Sequence, residues 1–321
     1  MIDHQPAAVA VAPQRPATQP HQGRRTNGTR IRRTAGDRVA DVIIAVVLVL
    51  LALATVYPFL YQFTISLSTP AQAMQTGWHL FPTEITFESY RTVLSDSGIF
   101  TAYRNTIIRT VLATVLAVLL TASVAYPLAQ PEFPHRRLLN FVLVFSLLVS
   151  GGFLAMYLLV RSLGLLDTVW ALALPGSVTA FNVIIMRNFF QAIPRELTDS
   201  GRIDGASELQ IMFRIVLPLS KPVLAVVALW VALANWNAWF DALLYITDPD
   251  KQVLQMFVRN AVLSRSTPLV EGSLDTTQQA FANVQTLSAA ALMVATIPII
   301  CLYPFLQKYF ARGILLGSVK G

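Results

Sequence analysis

The sequence predicts an all-α membrane protein with six transmembrane helices. Three observations carry that expectation: a low charge content, six long apolar runs without charge, and an uneven spread of lysine and arginine between them. Hydrophobic residues make up 55% of the 321 positions and charged residues only 13%, with a mean hydropathy of +0.57. A water-soluble domain carries roughly 25% charged residues because its surface has to face water. About half of that is missing here.

The six runs are Val42–Phe63, Thr110–Gln130, Leu138–Val160, Thr168–Met186, Pro222–Phe240 and Val284–Leu306, and none contains Lys, Arg, Asp or Glu. A hydrocarbon layer of ~30 Å needs about 20 apolar residues in a helix. Backbone groups in lipid must be satisfied within the segment, so each run is expected to be helical. Pro58, Pro127, Pro175 and Pro298 fall inside these runs and are expected as kinks, which neighbouring membrane helices tolerate.

Orientation follows from the basic residues. With a cytoplasmic N-terminus, the inside segments hold 17 Lys and Arg, and the outside segments hold 7 (Arg91, Arg104, Arg109, Arg161, Lys251, Arg259 and Arg265). That asymmetry matches the positive-inside rule and puts both termini in the cytoplasm. The pI of about 9.8 then requires no nucleic-acid partner.

Residues 1–36 are rich in Pro, Gln, Ala, Thr and Arg without apolar periodicity. They are expected to be a disordered basic tail, because so little apolar surface cannot offset chain entropy. Residues 37–321 form the membrane domain. The first apolar run is too long for the core of a cleaved signal peptide and reads as an uncleaved span. One cysteine, Cys301, excludes an intrachain disulfide.

Catalytic and cofactor chemistry is not legible. His4, His21, His79 and His135 fall in tails or loops without metal-ligand spacing. No G-x-x-x-x-G-K-[ST] phosphate loop exists, so any ATP hydrolysis belongs to another chain. The reading is a protein with no catalytic, metal or cofactor residues of its own.

The patterned segment lies between the fourth and fifth runs, QAIPRELTDSGRIDGASELQIMFRIVLPLSKP, residues 191–222. Pro194 suits a first helical turn, and Glu196 and Asp199 follow near that positive helix end. Gly205 is a helix stop. Ser207 and Gln210 form an S-x-x-Q capping box for a second helix, whose expected apolar stripe is Leu209, Met212, Phe213, Val216 and Leu217. Such a knob is either a surface hairpin joining two spans or a docking element for a cytoplasmic partner.

This segment resembles the cytoplasmic loop of binding-protein-dependent ABC importer permeases, written E-A-A, three residues, G, nine residues, I-x-L-P. Asp199, Ser200 and Gly201 stand at E-A-A, Gly205 at the glycine, and Ile215, Leu217 and Pro218 at I-x-L-P. The words A-I-P-R-E-L and R-I-D-G-A-S, the latter reaching across Asp204, are similar to the sugar-permease branch and its MalG-like subunits. So are N-T-I-I at Asn105–Ile108, A-Y-P-L at Ala125–Leu128 and the stretch Tyr303–Gly313. The W-N-x-W-F word at Trp236–Phe240 and the ending G-S-V-K-G are similar to the branch linked to acidic oligosaccharides such as aldouronates. Gly201 in place of Ala is expected to soften the first helix by up to ~1 kcal/mol.

The resemblance implies a type I importer permease fold in a bacterial plasma membrane. It also implies a second permease subunit, two ATP-binding subunits and an extracytoplasmic sugar-binding protein, with the loop as the coupling element that docks on the ATPase. Span five carries Asn235, Trp236, Asn237 and Trp239 at close spacing. On neighbouring helical positions, their aromatic faces and amides suit a sugar; an interfacial aromatic belt fits the same residues. The other function classes are a secondary transporter, which needs ion sites and broken helices in the spans, and a membrane enzyme, which needs a catalytic group at membrane depth.

Overall fold

The computed structural model describes residues 35–75, 77, 80–149, 151–263 and 283–301. The expected tail falls outside these residues except for its last two positions. So do the Tyr303–Gly313 stretch and the end of the sixth run. All regular structure among the described residues is helical.

Helix α1, Ala35–Ser66, holds Pro58 internally. Its segment up to Ala54 forms one unit and the chain from Thr55 onward another. In the first unit, residues 36–54 are exposed throughout, an apolar surface that only lipid or another apolar partner could cover. In the second unit, Ile65 and Tyr61 pack with Ala73 and Ala289. Short helices α2 (Pro70–Ala73) and α3 (Glu88–Ser95) lead to α4, Ser97–Ala129, capped by the Asp96 carboxylate accepting from Gly98 N at 2.8 Å.

α4 is the centre of the bundle. It packs most extensively on the helices Ala180–Gln191 and Lys221–Asn237. The reason is a buried run of small residues, Ala113, Ala117, Thr121, Ala125 and Ala129, at every fourth position. Small side chains on one stripe let neighbouring backbones approach closely, which is how membrane helices associate without a hydrophobic drive.

α4 begins thirteen residues before the expected start of the second run at Thr110. Its 33 residues span about 50 Å at 1.5 Å per residue. That exceeds the ~30 Å of hydrocarbon, so the helix can carry Arg104 and Arg109 toward its N-terminal end.

The third run is broken. α5 (Arg136–Leu148) and α6 (Gly152–Ser162) meet at a sharp bend, with Gly152 at φ +74. The fourth run is also not one helix. α7 (Val169–Ala173) stops before Pro175, Gly176 takes φ +76, and Thr179 caps a fresh start for α8 (Ala180–Gln191). Pro175 removes a backbone donor, although Leu174 before it keeps the helical φ −77 and ψ −46. With a left-handed glycine next to the proline, the expected kink becomes a break.

The patterned segment forms α9 (Arg195–Ile203), α10 (Glu208–Ile211), a π-helical turn at Met212–Val216 and α11 (Leu217–Leu219). It turns by 83° at Ser220 into α12, Lys221–Asn237. α13 (Phe240–Tyr245), a 3₁₀ turn at Pro249–Lys251 and α14 (Leu254–Leu263) follow. α15, Asn283–Cys301, closes the described chain.

Among the described residues, three helices are long and apolar enough to cross a membrane, Gly36–Ser66, Ser97–Ala129 and Asn283–Cys301. Counting each bent pair, α5 with α6 and Glu208–Leu219 with α12, as one span raises that to five. The α7–α8 stretch, expected as the fourth span, is not among them because of its break.

Candidate functional site

The knob between α8 and α12 is built by local rules. Gly205, at φ +80, ends α9. Its N–H reaches Arg202 O at 3.0 Å, and the Ala206 N–H reaches Gly201 O at 2.9 Å. That pair of bonds is a Schellman closure, which needs a left-handed residue at the glycine position. Ser207 Oγ then accepts from Gln210 N at 3.4 Å while Gln210 Oε1 accepts from Ser207 N at 2.9 Å, the expected capping box. Pro194 stands one residue earlier than a first-turn position, as the N-cap of α9.

The apolar stripe differs from expectation. Met212 and Val216 are buried, but Leu209 and Phe213 are exposed, and Ile211 takes the inward place. Ile211, Met212 and Val216 form the inward face, packed in one core with Ala125 of α4 and Val183 of α8. Gly201 is buried on that face: a Cβ there would lie 3.0 Å from Ile215 Cδ1 and 3.4 Å from Ile211 Cγ1. The glycine that lowers the helix propensity of α9 is the position where α9 and the second helix touch.

Glu196, Asp199, Ser200 and Asp204 lie exposed on α9 and its end. Ile203, the last residue of α9, has 86% of its surface accessible, and Leu197, Leu209 and Phe213 are also exposed on the knob. Leu217 is half-buried and Pro218 exposed. The knob therefore carries an exposed apolar side chain at the end of α9 and exposed acidic residues on the same helix.

A charged network ties the knob to α4, and nothing in the sequence reading anticipated it. Arg202 donates from Nε to Glu208 Oε1 at 2.8 Å, from Nη1 to Asp199 Oδ1 at 2.9 Å and from Nη2 to Gln130 Oε1 at 3.3 Å. The Tyr126 hydroxyl donates to Glu208 Oε2 at 2.5 Å. Hydrogen bonds from Arg202 and then Tyr126 hold the Glu208 carboxyl below the usual carboxylate range.

A second polar constellation lies where α12 ends. Arg109 of α4, only 2% exposed, pairs through Nη2 with Asp241. It also donates from Nη1 to Ala238 O at 3.2 Å and from Nε to Asn235 Oδ1 at 3.4 Å. Ala238 is the C-cap of α12 and Asp241 lies in the first turn of α13. One guanidinium thus satisfies a carbonyl at the end of α12 and the carboxylate beside the next helix start, pinning the break. Asn105 and Thr106, one turn earlier on α4, hold the following chain through Asp250 O, Gln252 O and Leu254 N. Counting Arg109 as an outside-loop charge hid this arrangement.

The break separates the span-five aromatics. α12 stops at Asn237, so Trp236 and Trp239 do not share a continuous helical face. Trp236 packs inward with Tyr103 at 6.4 Å and lines an apolar cavity of 170 Å³ with Ile107, Leu233 and Pro298. Trp239 is 40% exposed, with Phe240 edge-on at 5.6 Å and the Arg259 guanidinium 5.1 Å above its ring. Asn235 is engaged by Arg109, while exposed Asn237 bonds its own helix at Leu233 O.

A helical membrane bundle with a braced knob on one loop defines a permease subunit. The chain belongs to the family described as binding-protein-dependent transport system inner membrane component, which matches residues 97–316. It is therefore the membrane component of an ABC importer, and in this family ATP hydrolysis resides in other subunits. It is 43% identical to Protein LplC of Bacillus subtilis, over 91% of this chain and 98% of that protein. It is 39% identical to the polygalacturonan/rhamnogalacturonan transport system permease protein YtcP of the same organism, over 89% and 99%. A crystal structure of a bacterial ABC transporter involved in import of the acidic polysaccharide alginate superposes with TM-score 0.78 at 32% identity, over 86% and 98%.

Proposed function

We propose that this chain is the MalG-like permease of an importer for sugars and oligosaccharides, of the acidic branch. It would form the path with a second permease, above two ATP-binding subunits, and receive sugar from an extracytoplasmic binding protein. The observation that carries the reading is the knob, whose capped helices present Ile203 outward. Glu196, Asp199, Ser200, Gly201, Asp204, Gly205, Ile215, Leu217 and Pro218 either shape it or stand on its surface. ATP-driven closure of the ATPases would bias the bundle between its inward- and outward-facing states through this knob, because nucleotide binds one state better than the other.

Six crossings fit this role, with α7–α8 as a discontinuous fourth span and both termini in the cytoplasm. The acidic branch is supported by the alginate importer and the polygalacturonan permease among the similar proteins. Asn235, Trp236, Asn237 and Trp239 are the proposed substrate-path residues of span five, and Trp239 is the one whose ring is open to a ligand.

Reconstitution of the complete complex in proteoliposomes tests the function. Uptake of oligosaccharide that needs both ATP and the binding protein is the expected result, and ATP-independent uptake would refute it. Reporters inserted within residues 131–137 and 247–275 should read cytoplasm and outside respectively. A cytoplasmic reading from 247–275 would refute six crossings.

A further inference from the structure

We propose that Arg259 and Trp239 form a subsite for a uronate unit of the transported sugar, with the indole face taking the sugar ring and the guanidinium its carboxylate. This rests on the reading of the chain as a sugar importer and extends it to a residue with no role so far. Arg259 lies on α14, Trp239 in the break between α12 and α13, and the guanidinium carbon stands 5.1 Å from the centre of the indole ring.

The geometry suits a carbohydrate acid in three ways. Trp239 keeps 40% of its surface accessible, with Phe240 edge-on and the Arg259 guanidinium over one side of the ring, so the indole plane is only partly covered. Such planes accept the C–H face of a sugar ring. Arg259 is half-buried and has no carboxylate partner among the described residues. Its donors are a planar fork that matches a carboxylate and that remains charged when stacked on an aromatic ring. Asp241, the nearest acidic residue in sequence to Trp239, is already neutralised by Arg109, so it does not compete for the guanidinium.

The Arg109 pin is what makes the pair possible. If α12 continued as helix through Trp239, the indole would follow the helix surface one turn beyond Trp236, which packs inward. The break at Ala238, held by Arg109, gives Trp239 a backbone of φ −127 and ψ −30 and sends its ring to α14 instead.

The test is uptake by the complete reconstituted complex, with assembly checked by copurification, using trigalacturonate and the neutral maltotriose. Wild type is expected to import the acidic sugar. Arg259→Gln should lower that uptake about tenfold, the scale of one lost charge-assisted hydrogen bond. Arg259→Lys should keep it within about threefold of wild type, since charge is retained but the fork is lost. Trp239→Ala should lower it as much as Arg259→Gln. Wild-type uptake by Arg259→Gln, or equal losses in Arg259→Lys and Arg259→Gln, would overturn the subsite. So would wild-type import of maltotriose alone, although the sugar-importer reading would survive it. Import of neither sugar under ATP and binding protein would overturn both.

Discussion

Tyr126, in the last turn of α4, donates its hydroxyl to Glu208, the first residue of α10, at 2.5 Å. The central helix of the bundle is thereby joined to the knob, and Arg202 reinforces the joint from α9. Movement of the knob has a direct polar route into α4, alongside the apolar contacts of Ile211, Met212 and Val216 with the same core.

Tyr126→Phe keeps the ring and removes that joint. Glu208 is 55% exposed, so the bond contributes about 0.5–1 kcal/mol rather than the value of a buried one. Sugar-stimulated ATP hydrolysis by the complex is expected to fall roughly two- to fivefold, with membrane insertion unchanged. An unaltered stimulation ratio would remove the joint from the coupling route.

Gly205→Val places a branched side chain at φ +80. No atom lies within 4 Å of the added Cβ, so the cost is backbone strain alone, about 1–2 kcal/mol or more. Coupled uptake should collapse while the protein still inserts. Gly205→Asn, whose side chain tolerates the left-handed region, should retain most activity. Equal loss in both would point to crowding instead of conformation.

Asp241→Ala leaves the Arg109 guanidinium buried without its counter-charge. Breaking such a pair costs about 3–5 kcal/mol, and the 29% exposure of Asp241 favours the lower end. The melting temperature of the purified protein in detergent should drop clearly. The double replacement Arg109→Leu with Asp241→Leu should recover part of the loss, because no charge is then stranded. Failure of the double to recover anything would mean the pair matters through Ala238 and Asn235 more than through charge balance.

Much of the knob was legible in the sequence because its geometry is set locally. Gly205, Ser207 and Gln210 each dictate a cap within five residues of chain. The span boundaries were legible only in part, because hydropathy reports what is apolar and not where a helix stops. Pro175 beside Gly176 and Gly151 beside Gly152 break runs that composition reads as continuous. The Arg109–Asp241 pin was not legible at all, since it joins positions 132 residues apart and cancels two charges that look like loop residues one at a time. The inward face of the second knob helix was only partly legible: Met212 and Val216 pack inward, but so does Ile211 in place of Leu209 and Phe213.

Asp167 supplies a pH dependence outside the membrane spans. Its Oδ1 accepts from Thr247 N at 2.6 Å and Asp248 N at 2.9 Å, latching the turn after α6 to the chain after α13. The backbone N–H groups of Asp248 and Thr247 hold its carboxyl below the ordinary 3.8. A depressed pKa gives stabilisation that is fully present above the unfolded value and is lost as pH falls through the lower folded one. Protection of the 245–250 backbone from hydrogen exchange should therefore persist down to about pH 4 and fade below it. In Asp167→Ala it should be low throughout. Loss of wild-type protection between pH 6 and 5 would assign the latch to another group.

Docking of the knob on the ATP-binding subunit, as proposed, would bury Ile203, its most exposed side chain at 86%. In a Cys301→Ser background, Ile203→Cys should react readily with a water-soluble maleimide in the isolated subunit. In the assembled complex it should be shielded and should cross-link to a cysteine placed in the ATPase cleft, with a yield that changes on ATP binding. Labelling at the same rate in the isolated subunit and the assembled complex, with no cross-link, would contradict that docking.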